Sequence, residues 1–412
     1  MPAIRPRLSR AQAVAHIQDQ SFPADAGDLV GVELEWLVRS RDGTRPAEVD
    51  HHRLGDLVLA GDSALTIEPG GQLELSSRPR SSVAALCADV AGDVSDLGDE
   101  VSGGGARLVG MGLAPEGPTP RLASTPRYDA MDAFFAPAGP AGSIMMTATA
   151  SLQVNLGLGG EAEVEGRWRR ANILGPVLAA VFANSPLRDG APTGWASTRL
   201  QVWSAIDPSR TASAWAPGRG CASWADYVLD ARVMLICRSG TDFAPLVKPL
   251  SFRRWLTQGH ELGYPTAEDL DYHLTTLFPP VRPKGWLELR FLDALPPPWW
   301  PVATAVAAGL VRDPEAGAQA ERAAEPFAGQ WRRAARFGLA DPGLASAAQE
   351  CFAAAAGTLT DGDSGLGEAV VEYAQRFVAR GRTPADERLD AWRATGSALL
   401  AEDAERVAVM AR

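Results

Sequence analysis

The chain has 412 residues, 46% hydrophobic and 22% charged, an ordinary globular composition that allows either two to three domains or one large domain with an extension. A formal net charge of −11 without a basic stripe argues against a nucleic-acid partner, and no apolar run is long enough to cross a membrane. The basic start MPAIRPRLSR lacks the apolar core of a signal peptide, and Cys87, Cys221, Cys237 and Cys351 are scattered, which predicts a reduced, cytoplasmic protein.

Leu8, Ala11, Val14 and Ile17 share one stripe and predict an amphipathic helix before Gly27. Strand patterns follow at 29–38 and 65–76. A helix is predicted over 83–97, ended by the Ser-Gly-Gly-Gly of 102–105, and a strand over 107–114. After a loop rich in proline, threonine and serine come a short helix at 128–135, a strand at 147–158 and a helix at 163–184. Residues 197–206 read equally as strand or irregular structure. Helical pattern returns at 222–235 and 266–278, ahead of a strand at 286–292. Beyond Pro296 the chain is alanine-rich and helical, with breaks near Pro314, Pro342, Gly357–Gly367 and Pro384. The expectation is an α+β catalytic domain over 1–296, one antiparallel or mixed sheet with helices outside, and a helical region over 297–412 packed on it.

Four of the strand-like runs repeat one device. Glu33 and Glu35 in GVELEWLV, Gln72 and Glu74 in GGQLEL, Gln153 and Asn155 in SLQVNL, and Glu288 and Arg290 in WLELRFL stand two residues apart. In a strand such residues share a face, and the apolar residues between them share the other. If the four strands join one sheet, its second face is a wall of carboxylates and amides, which favours hard cations with oxygen ligands, magnesium over zinc. One such pair alone would be a solvated sheet face. The chain has no P-loop, no GxGxxG dinucleotide motif, no HExxH and no GxSxG, so metals and arginines would have to hold any nucleotide phosphates.

PGGQLELSS at 69–77, after GVELEW, resembles the start of the plant-type glutamate–cysteine ligases. The likeness continues in order through GMG at 110–112, RYDAM at 127–131, the Met145–Leu156 run ending in QVNL, and FANSP at 182–186. It then takes in Arg199, Trp203, Asp207, Arg210 and Thr211, and ends in HLTTLFPPVRPKGWLELRFLD at 273–293. The actinobacterial branch that makes γ-glutamylcysteine for ergothioneine is the most similar. The resemblance implies a glutamine synthetase-like fold, a curved and mainly antiparallel sheet forming a funnel, and ATP-dependent joining of the glutamate γ-carboxylate to the amine of cysteine with Mg2+. Alternatives are a ligase of the same fold with another amine acceptor, or a non-catalytic relative that binds glutamate or nucleotide.

It also implies roles. Glu33, Glu35, Glu74 and Glu288 are the expected metal ligands, with Gln153 a weaker candidate at the nucleotide site and Asn155 a donor to substrate or phosphate. Arg290 is expected to act with Glu288 in catalysis by stabilising the transferring phosphoryl group, or else to pair with a wall glutamate. Arg282 and Lys284 are expected at the ATP phosphates or exposed. Arg210 is the first choice for the glutamate α-carboxylate, with Arg199 beside it and Trp203 as contact or packing. Plant relatives carry an arginine where this chain has Ala148; if that arginine grips glutamate there, this chain must recruit another cation, with Arg127 a candidate.

Overall fold

A computed structural model describes residues 7–122, 124–239, 242–359 and 364–404. Its centre is a seven-stranded sheet built from β1 (Val30–Ser40), β2 (Ala64–Ile67), β3 (Leu73–Ser76), β4 (Ala106–Val109), β5 (Ser151–Leu156), β10 (Val281–Pro283) and β11 (Leu287–Asp293). Two small hairpins stand apart, β6 with β7 (Leu187–Arg188, Ala191–Pro192) and β8 with β9 (Leu235–Ser239, Asp242–Pro245). The strand order is β10-β11-β5-β1-β3-β2, with β4 on the far half of β1, and every pairing is antiparallel. The sheet is open rather than a closed barrel.

The period-two reading is realised. Val32, Leu34, Trp36, Leu73, Leu75, Leu152, Val154, Leu287 and Leu289 are all buried on one face. Each such side chain contributes roughly 1.5–3 kcal/mol when enclosed, so a register slip that exposed the set is excluded. One apolar cluster joins these residues to helices Glu161–Val181, Trp300–Arg312 and Pro342–Ala356. The core therefore contains residues from both sides of residue 296.

Several elements differ from the sequence reading. The run 65–76 is a hairpin, folded at Pro69-Gly70-Gly71 and closed by the Gly71 N–H donating 2.9 Å to the Glu68 carbonyl. Gly71 has φ +85°, and a Cβ on Gly70 would lie 2.1 Å from the Thr147 carbonyl oxygen, so the turn demands both glycines. The helix begun at Val83 continues past 97 to Gly103, because Val101 lies on the same buried face as Val94 and Leu97. Residues Ala141–Ala148 form a buried helix, not the start of a strand, and β5 begins only at Ser151. Their mostly small and apolar sequence, running into the apolar start of β5, hides the change of period. The ambiguous 197–206 segment holds a helix, Thr198–Ser204, capped by the Ser197 hydroxyl. The helical pattern over 222–235 ends at Asp230, and the β8–β9 hairpin follows.

Candidate active site

The polar face of the sheet is the wall that the alternation predicted. Glu35 faces Glu74 across β1 and β3, Glu33 faces Gln153 across β1 and β5, and Asn155 faces Glu288 across β5 and β11. A cavity of about 360 Å³ opens over it, lined by Glu33, Glu35, Glu74, Gln153, Arg127, Arg199, Trp203 and Arg290 among the expected residues. Glu68, Tyr128 and Ser151 line it as well. Glu68 stands outside the expected set because the residues two away from it, Thr66 and Gly70, are neither acid nor amide; it follows Thr66 by two, and Thr66 pairs with Glu74.

Glu35 accepts from the Ser151 backbone N–H at 2.8 Å and the Ser151 hydroxyl at 2.7 Å. Burial raises its carboxyl above the ordinary range, with Arg199 and Ser151 opposing. Burial and then the charge of Glu35 push Glu68 up to about 7, and burial with the charges of Glu35, Glu33 and Glu68 pushes Glu74 up to about 8. This half of the wall crowds four carboxyl groups together, and burial with their mutual repulsion favours the protonated forms of Glu68 and Glu74.

The other half is neutralised. Glu288 is enclosed, and Arg282 grips it with two hydrogen bonds of 2.7 and 2.9 Å. Arg290 Nη1 adds a third at 2.7 Å, and Lys284 stands 3.8 Å away. Burial opposes ionisation, but Arg282 and then Arg290 hold the carboxyl well below the usual carboxylate range. Glu288 thus departs from its expected place as a metal ligand: its oxygens are held by arginines, and it does not line the cavity. Arg282 departs likewise, its guanidinium committed to Glu288 and the Leu277 carbonyl. Lys284 is half-exposed over the Trp286 ring, off the cavity. Asn155 also sits beside the cavity, donating 2.9 Å to Glu33 and accepting 3.1 Å from Trp286 Nε1.

Arg210 corrects another expectation. It is fully buried, and it donates to Asp207, the Thr276 carbonyl and the Arg232 carbonyl at 3.1, 2.7 and 2.7 Å. It ties three loops together and does not line the cavity. Asp207 pairs with it and caps the turn at Ser209. Arg199 instead lines the cavity, 3% exposed, with Nη2 donating 2.7 Å to the Arg290 carbonyl and with Nε and Nη1 lacking a hydrogen-bond partner. Trp203 packs edge-on to Phe278 with the guanidinium carbons of Arg290 and Arg199 5.7 and 5.9 Å from its ring. Arg127 reaches the cavity while bonded to Tyr272 and Thr275. Ala148 is wholly buried, so the cations lining the wall, among the described residues, are Arg127, Arg199 and Arg290. A second cavity of about 350 Å³ shares Arg199, Trp203, Phe278 and Arg290 with the first.

A family model for glutamate–cysteine ligase family 2 matches residues 29–407. The chain belongs to that family. Within it, the chain is 40% identical over 392 residues to the glutamate–cysteine ligase EgtA of Mycolicibacterium smegmatis, covering 93% of this chain and 91% of that protein. It is 39% identical over 346 residues to the Mycobacterium tuberculosis protein of the same name, covering 81% and 78%. The chloroplastic glutamate–cysteine ligase of Brassica juncea matches at 32% over 253 residues, 59% of this chain and 49% of that one. The fold is shared with a Francisella tularensis glutamate–cysteine ligase solved in complex with AMP, at TM-score 0.51 and 13% identity over 90% and 86% of the two chains.

The oxygen donors and the raised carboxyls of Glu68 and Glu74 suit a divalent cation in charge and chemistry. Among the described residues, however, no three acidic, histidine or cysteine side chains converge closely enough to hold one. A bound ion would have to draw Glu33, Glu35 and Glu74 together.

Proposed function

We propose that this glutamate–cysteine ligase family 2 member joins L-glutamate to L-cysteine at the expense of ATP, with Mg2+ held at Glu33, Glu35 and Glu74 and with Glu68 beside them. In the first step a γ-carboxylate oxygen of glutamate attacks the terminal phosphorus of ATP and ADP leaves. In the second, the cysteine amine attacks the acyl carbon, inorganic phosphate leaves, and the amine loses a proton. Both steps depend on positioning and charge neutralisation more than on covalent participation by the protein. The cation would supply neutralisation of the phosphate oxygens when bound.

The observation that carries the reading is one cavity in which four glutamates face Arg127, Arg199 and Arg290. Arg199, which reaches the cavity with its Nε unpartnered, takes the α-carboxylate of glutamate in place of Arg210. Arg290, anchored by Glu288 and by Gln153 at 2.6 Å, is held rigidly where phosphoryl charge develops. Glu288 and Arg282 then serve catalysis by fixing Arg290. The adjoining cavity is the nearest volume for the acceptor. No helix of the described residues is long and apolar enough to cross a membrane, in keeping with work in the cytoplasm, where the product would feed ergothioneine synthesis.

Phosphate release from ATP tests the reading when measured with glutamate alone, then with cysteine, then with other amines. Release that requires glutamate and is accelerated by cysteine alone is expected. Equal acceleration by unrelated amines would overturn the acceptor, and no glutamate-dependent release would overturn the reaction.

A further inference from the structure

A line of buried polar groups runs from the last described turn of the chain to the cavity. Asp403 and Arg388 have wholly buried side chains and form a bidentate pair, with two bonds of 2.9 Å. Arg388 belongs to helix Pro384–Thr395 and Asp403 to the turn Ala401–Ala404. Arg388 Nε donates 2.6 Å to the Asn184 side-chain oxygen, and its Nη2 donates 2.7 Å to the Gly110 carbonyl. The Asn184 amide is fixed at its other end by the Gly110 and Ala294 carbonyls, at 2.8 and 2.7 Å. Its backbone N–H donates 2.8 Å to Asp293 Oδ2, which also accepts from Ser185 at 2.7 Å. Asp293 Oδ1 accepts 2.9 Å from Ser197 and stands 3.7 Å from Arg199 Nη1.

A buried ion pair is weak evidence for stability, since a packed apolar pair of similar volume stabilises as well or better. A chain of satisfied buried hydrogen bonds does something an apolar pair cannot: it fixes orientation. Each member of this line has its alternatives removed. Asn184 cannot turn without losing three partners, and Asp293 cannot turn without losing three donors. The only group along the line left with unpartnered donors is Arg199, where the line meets the cavity.

We propose that Asp403 and Arg388 are positioning residues which, through Asn184 and Asp293, set the direction in which Arg199 presents its guanidinium to the glutamate carboxylate. The inference rests on the reading of Arg199 as the glutamate-binding cation. It gives the C-terminal helical region a part in substrate recognition although none of its residues up to Asp403 touches the wall cavity.

The test is a double-mutant cycle between Asp403→Asn and Arg199→Lys. Asp403→Asn should raise the apparent glutamate constant roughly tenfold, the effect of one misaimed charge-assisted bond. The ATP and cysteine constants should hold within about twofold, and the glutamate effect should disappear in the Arg199→Lys background, because residues of one network are not additive. The same tenfold loss in both backgrounds, a parallel shift in all three substrates with a lower melting temperature, or an unchanged glutamate constant would each overturn the inference. If Asp403→Asn does not fold, Arg388→Met with Asp403→Leu removes both charges and is read by the same criteria. Arg199→Lys alone separates the two levels. If it weakens glutamate while Asp403→Asn does not, only the positioning inference fails; if it leaves glutamate untouched, the Arg199 reading fails and takes the inference with it.

Discussion

At the β1–β3 end of the wall, Glu33, Glu35, Glu68 and Glu74 share a cavity and repel one another, and two of them are pushed up to about 7 and about 8. At the β10–β11 end, Glu288 is ringed by Arg282, Arg290 and Lys284 and stays ionised. Both ends carry charged residues at period two in apolar strands. What separates them is the residue across the strand pair: Glu35 faces another glutamate, whereas Glu288 faces Arg282. One end therefore asks for a cation from solution, and the other has built its cations in. The proposed reaction would use both, a place for an ion and a rigid arginine that does not leave with it.

The largest effect expected from this contrast is on activity. Stripping divalent cations with a chelator should abolish turnover, restored by Mg2+ and poorly by Zn2+; full activity after exhaustive chelation would mean that the repelling half is not a metal site. Next comes Glu288→Gln. Had Glu288 belonged to the repelling half, loss of its charge would stabilise the metal-free protein. Its actual partners reverse the sign: Arg282 and Arg290 are left buried without a counter-charge, which costs about 3–5 kcal/mol in urea or thermal unfolding. A variant as stable as the parent would erase the distinction between the two ends.

Arg199→Lys should keep the charge and lose the forked grip, at about 1.5–3 kcal/mol, roughly tenfold to a hundredfold in the glutamate constant. Titrations of glutamate and ATP on one preparation decide it, since an equal loss in both would place Arg199 in the framework, where Arg210 stands. The smallest effect concerns pH. Glu68 and Glu74 hold protons in the folded state that the unfolded chain releases near 4.5, so the folded state binds more protons between there and about 7 to 8. Stability of the metal-free protein should therefore fall as pH rises through that window. Glu74→Gln should make that fall shallower, and saturating Mg2+ should flatten it, because a bound cation lets the carboxylates ionise. Melting temperatures from pH 5 to about 8.5, with and without Mg2+, supply the measurement. A slope identical in parent and variant would show that the repulsion is relieved in another way.

Much of the wall was legible in the sequence because a strand alternates with period two and nothing else is needed to know which residues share a face. That reasoning places Glu33 with Glu35 and Glu288 with Arg290, and it orders the buried Val32, Leu34, Leu73, Leu152 and Leu289 opposite them. The ordered motifs shared with the ligase family carried the reaction class. The residues that changed meaning are those whose role depends on a neighbour from another segment. Whether a glutamate binds metal or arginine is decided by strand register, which brings Arg282 against Glu288 and Glu74 against Glu35. Whether an arginine can face a ligand is decided by what surrounds its donors: Arg210 is bonded to the scaffold, while Arg199, eleven positions earlier in the same motif, lines the cavity. Glu68 entered the site only because Pro69-Gly70-Gly71 turns the chain back on itself. Local periodicity is a property of the backbone and can be read along the chain; charge compensation is a property of pairs, and pairs are made by the tertiary fold.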